Sequence, residues 1–122
     1  MTKTTWDHES ISGLVERLVA LGASVPDVMG SNDKADHAMS GIVRALKARG
    51  PDGREALLAL MDHPNVLVRC KAAAACLDIA RDRAVNVLAD VCELRAGNVS
   101  MSAMHALLSA GEFDMKTGPK RR

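Results

Sequence analysis

Aromatic side chains are almost missing from this chain: Trp6 and Phe113 are the whole complement and there is no tyrosine among 122 residues. β-Branched residues never form an alternating run either, so nothing in the sequence suggests a sheet with one buried face. No charge of one sign is in excess, since sixteen Lys and Arg stand against fifteen Asp and Glu along the whole length. Such a balance gives no field that would draw in nucleic acid or an anionic membrane. No window reaches the roughly eighteen apolar residues of a membrane span, and the opening MTKTTWDHESIS has no apolar segment of signal-peptide length. The three cysteines, Cys70, Cys76 and Cys92, cannot pair completely and lie among apolar neighbours, as small buried hydrophobes of a reducing compartment do. A cytoplasmic, single-domain protein is the expectation.

What is present is Ala, Leu, Val and Met in helical register, which argues for an all-α fold. The first helix reads from Thr5 or Ser10 to Leu21, with Ile11, Leu14, Val15, Leu18 and Val19 on one stripe and Gly22 placed to cap it. Ala23 to Ser31 contains Pro26 and Gly30 and reads as a loop with one helical turn. A second helix from Asn32 or Asp33 to Arg49 turns Ala35, Met39, Ile42, Val43 and Leu46 inward, and Gly50-Pro51 stops it. A third spans about Asp52 to Met61 and a fourth about Pro64 to Ile79, with Pro64 in its first turn. A fifth covers about Arg83 to Leu94. The sixth, about Val99 to Ala110, is expected to bury Val99, Ala103, Met104, Leu107 and Leu108 before Gly111. Residues 1–112 thus form the expected domain, and residues 113–122, which carry no periodicity, a flexible tail.

A shift of thirty residues lays Leu57, Leu58, Met61, Ala73 and Leu77 on Val87, Leu88, Val91, Ala103 and Leu107, so the third and fourth helices and the fifth and sixth read as two copies of one unit. Leu57-Leu58, Leu60, Asp62, Pro64, Val68-Arg69, Ala72-Ala73 and Leu77 resemble the helix-turn-helix of a HEAT repeat. The stretch from Asn32 to Gly111, with its LKARG end and DHP-x4-VR core, further resembles a family of small bacterial HEAT-like proteins of unknown function. The resemblance implies a short HEAT-like α-solenoid of five or six antiparallel helices. It also implies a structural bond from Arg69 to an Asp of the turn or of the neighbouring unit, although Asp62 stands one residue upstream of the usual spacing.

Chemistry-bearing residues are sparse. His8, His37, His63 and His105 fall on four segments with no i,i+4 pair, and Cys70 and Cys76 are out of phase around a helix, so neither a metal nor another cofactor is expected. Arg69 and Lys71 flank Cys70, yet no base at helical spacing and no Gly-rich oxyanion loop accompany it, so the thiol reads as structural and the protein as not an enzyme. Arg44, Lys47, Arg49 and Arg54 cluster, and Lys116, Lys120, Arg121 and Arg122 close the sequence, but interspersed acids argue against a nucleic-acid partner. Most of the seven methionines read as core filler, and Trp6 as either a core anchor or a partner anchor.

The expected function is protein recognition through a face made by the second helix of each pair, with Lys71, Ala75 and Asp78 as candidate contact residues. The partner is an unidentified protein. Two alternatives stand beside a general adaptor: an immunity protein that neutralises a toxin, and a homo-oligomeric structural protein whose open end is covered by another copy.

Overall fold

A computed structural model describes residues 10–24, 33–95 and 97–122. Among the described residues there are six helices: α1 (Ile11–Ser24), α2 (Asp33–Ala48), α3 (Pro51–Leu60), α4 (Val66–Ala75), α5 (Arg81–Glu93) and α6 (Asn98–Ser109). Two short strands, β1 (Phe113–Asp114) and β2 (Gly118–Pro119), follow as an antiparallel pair. Apart from that pair, the described residues form helices and turns. Neighbours in sequence pack on one another throughout the helices, α2 also packs on α4, and α4 on α6. One contiguous core runs from Leu14 in α1 to Leu107 in α6. No helix among the described residues is long and apolar enough to cross a membrane.

Local chemistry fixes the helix ends. Ser10 caps α1, its Oγ accepting from the Gly13 amide at 3.0 Å. An earlier start at Thr5, Trp6 as an anchor, His8, and the Pro26 and Gly30 loop all lie outside the described residues. Gly22 is not a cap: α1 continues to Ser24, and Gly22 is buried inside it. A Cβ at Gly22 would lie 2.6 Å from Val68 Cγ2 and 3.1 Å from Asn65 Oδ1, so the missing side chain lets α1 press on the start of α4. Gly50, at φ 81, reverses the chain and Pro51 occupies the first turn of α3.

The α4 boundaries differ from the sequence reading. Asn65 is the N-cap, its Oδ1 accepting from the Val68 amide at 3.1 Å, which leaves Pro64 ahead of the helix. At the other end Cys76 leaves helical geometry and residues 76–79 form turns, with Ala80 N–H bonded to the Cys76 carbonyl at 2.8 Å. The closing of α6 is a paired cap: Gly111, at φ 75, donates to the Leu108 carbonyl at 3.1 Å and Glu112 to the Leu107 carbonyl at 2.8 Å.

In place of a flexible tail, residues 113–122 fold back. Phe113 pairs with Pro119 and Asp114 with Gly118, while the Asp114 carboxylate closes the turn by accepting from the Lys116 amide at 2.7 Å. β1 packs on α6 and β2 on α5. Arg121 then reaches Asp90 at 2.8 Å and Glu93 at 2.7 Å on α5. A two-residue strand is too short to show a period, so only these long-range pairs reveal it.

Candidate functional site

Lys71, Ala75 and Asp78 were the contact face expected from spacing, and the structure gives two of them intramolecular work. The Lys71 ammonium pairs with Asp36 at 2.5 Å and donates to Ser40 Oγ at 3.1 Å, leaving its side chain 17% exposed. Asp78 lies beyond α4 and accepts from Lys47 Nζ at 2.7 and 2.8 Å. That hydrogen bond holds the Asp78 carboxyl below the usual Asp range. Both pairs tie α2 to the α4 segment. Ala75 is half-buried. Lys71 is thus largely covered by its partners on α2, whereas the Asp78 side chain stays 68% exposed.

The structural pair also sorts differently. Arg69 does bond to the α3–α4 turn, but through the His63 carbonyl, to which its Nη1 donates at 3.1 Å. Asp62 instead accepts from Arg83 Nη2 of α5 at 2.6 Å. His63 has a turn role, its Nδ1 accepting from the Asn65 amide at 3.0 Å. Cys70 is buried and its thiol is pushed up to about 11, chiefly by desolvation, with Lys71 and Arg69 only partly offsetting this. A thiol so placed is a poor nucleophile at neutral pH. Cys76 and Cys92 are shifted upward as well, first by burial.

The surface that stands out lies at the other end of the chain. Among the described residues the exposed large hydrophobics are Leu94, Met101, Leu108 and Met115, at 51, 59, 38 and 76% exposure. Met101 and Leu108 share one stripe of α6 with half-buried Met104, at spacings of three and four. Sequence reading placed Met104 and Leu108 inward. The helix actually turns Val99, Ser100, Ala103 and Leu107 to the core, where Ser100 Oγ donates to the Val91 carbonyl at 2.7 Å. The apolar arc of α6 is therefore wider than one core face can cover, and its second edge meets solvent.

Beside that edge lies a cleft of about 550 Å³ between the end of α5, the start of α6 and the strand pair. Cys92, Met101, Met104, Phe113 and Pro119 supply its apolar lining, and Glu93 and Arg95 stand at its polar margin. Its Gly97 and Arg95 adopt φ 66 and φ 51, the left-handed turns that lead from α5 into α6. Methionines adapt their shape to what they meet, and exposed apolar patches mark contact surfaces. The signal available in sequence was the Met101, Met104, Met115 grouping; only the fold distinguishes it from Met39 and Met61, which are buried.

Fold and surface together define a small, mostly helical domain whose α6 carries exposed apolar side chains. A profile of the domain of unknown function DUF2019 matches residues 23–110, from the end of α1 through α6, and the chain belongs to that family. No curated protein and no solved structure matches the chain.

Proposed function

We propose that this protein is a non-enzymatic recognition module, a short HEAT-like helical stack that binds another protein through the apolar face of α6 and the cleft beside it. The observation that carries the reading is the exposed pair Met101 and Leu108 on one stripe of α6, with Met101 also lining a preformed cleft. Packing of α2 on α4 and of α4 on α6 supports a repeat arrangement. So does the start of α5 thirty residues after that of α3. The unpaired thiols accord with a reducing, cytoplasmic setting.

Relative to the sequence expectation, the proposed face moves from Lys71, Ala75 and Asp78 to Met101 and Leu108. A photo-crosslinking amino acid at Met101 tests it, with a second probe at Ala74, which is exposed on α4. The expected outcome is a discrete adduct from position 101 and none from position 74. No adduct from positions 101, 108 or 115 under native conditions would sink the reading.

A further inference from the structure

Along α5, Asp82, Asn86, Asp90 and Glu93 follow one another at spacings of four, four and three residues, which sets them on a single outer stripe of the helix. The neighbouring cations of α5 turn elsewhere, Arg81 to Glu112 at 2.7 Å and Arg83 to Asp62 at 2.6 Å. Three carboxylates are thereby left for cations from outside the helix, and residues 121–122 supply them. Arg121 donates to Asp90 at 2.8 Å and to Glu93 at 2.7 Å, and Arg122 Nε lies 3.6 Å from Asp82. Between these contacts Asn86 holds main chain: its Oδ1 accepts from the Arg122 amide at 2.8 Å, and its Nδ2 donates to the Arg122 main-chain oxygen at 3.2 Å.

A side-chain amide that pairs with both main-chain groups of one residue fixes an extended segment without reading its side chain, and the carboxylates on either side select guanidinium. Upstream, the tail is anchored by Phe113 against the core and by the Lys120 amide, which donates to the Glu112 carbonyl at 2.8 Å. The last two residues are held differently. Arg121 and Arg122 stay about two-fifths exposed, and Asp90 and Glu93 remain 64 and 60% exposed beneath Arg121. Arg122 also reaches Glu112, but Arg81 keeps that carboxylate paired when Arg122 leaves. Exposed ion pairs add little singly and are screened by salt, so this final tie belongs to the low-stability end of the fold and opens locally.

We propose that the stripe of Asp82, Asn86, Asp90 and Glu93 is a binding site for an extended, arginine-bearing segment of another protein, and that residues 121–122 close it as a tethered competitor. The seated tail shows the mode of binding: main chain on Asn86, guanidinium groups on the carboxylates to either side. The tether gives the tail an effective concentration on the order of millimolar, so an incoming segment gains the site when the tail lifts. This site is separate from the apolar face of α6 and stands whether or not that face binds a partner.

The probe is a fluorescent TGPKRR peptide, the sequence of residues 117–122, followed by anisotropy. R121E/R122E keeps the whole chain but repels its own tail from the stripe. It is expected to bind the peptide at least about tenfold tighter than the native chain does, with an affinity that falls as salt rises. Adding N86A or D90K/E93K to that variant is expected to abolish binding, and a TGPKEE peptide is expected not to bind. On the native chain, millimolar TGPKRR is expected to displace the tail and speed hydrogen exchange at the Arg122 amide, a readout independent of how any variant folds. Equal binding by the native chain and R121E/R122E, binding of TGPKEE as tight as that of TGPKRR, binding untouched by N86A and D90K/E93K, or an Arg122 amide indifferent to the peptide would each overturn the proposal.

Discussion

Glu112 shows how much one residue can gather. Its side chain is 5% exposed, yet it is charged, because Arg81 Nε donates to Oε2 at 2.7 Å and Arg122 Nη2 reaches the same oxygen. Arg81 Nη2 also donates to the Ala110 carbonyl at 2.6 Å, so one guanidinium satisfies both the carboxylate and the C-terminal end of α6. These bonds, Arg81 first, hold the Glu112 carboxyl below the usual Glu range. A carboxyl depressed in the folded state contributes stability that is complete above the unfolded value, about 4.3, and is lost as pH falls through the folded value beneath it. E112Q should therefore melt below the parent at neutral pH, and the two melting temperatures should converge on strong acidification. Thermal melts across that range check it; a constant gap would mean that the Glu112 charge is not what stabilises.

Helix junctions set the packing at the scale of elements. A Cβ on Gly53 would overlap the Leu46 carbonyl oxygen and sit 3.0 Å from Arg49 Cβ, both on the α2 segment. Backbone cannot move aside as a side-chain tip can, so G53A is expected to cost about 2–3 kcal/mol in chemical denaturation. N65A removes the α4 cap and should cost about 1 kcal/mol, read by the same method. On α6 the two apolar edges predict opposite outcomes: L107A, at a fully buried site, should lose about 2–5 kcal/mol, whereas M101A, at 59% exposure, should change stability by less than about 0.5 kcal/mol. Equal losses would mean that Met101 is covered within the monomer.

Over the whole molecule, the strand pair and the long-range ion pairs decide how the last helices are held. Ion pairs such as Arg121 with Asp90 and Glu93 are solvent-exposed and add little singly. Partial burial of Phe113 against the core counts for more. Removing residues 113–122 should thus destabilise by about 1–2 kcal/mol, mostly through lost Phe113 packing, and leave a cooperative melt. Calorimetry would measure it, and a noncooperative transition would show that the strand pair is integral to the core.

Legible in the sequence were a mostly helical fold, the approximate spans of its helices and much of the buried face. Apolar spacing at three and four residues is a local signal, and it placed Met39, Ile42, Val43, Leu46, Ala103 and Leu107 inward, where they are buried. It also placed the stop at Gly111. What tertiary structure alone decided is which side of α6 meets the core, why Gly22 is a contact rather than a cap, and where Lys71, Asp78, Asp62 and the last ten residues find partners. Those outcomes depend on groups tens of residues apart, such as Lys47 with Asp78 or Arg81 with Glu112. Periodicity reports that a helix has an apolar arc. When that arc is wider than one neighbour can cover, as in α6, only the packed fold selects the edge left facing water.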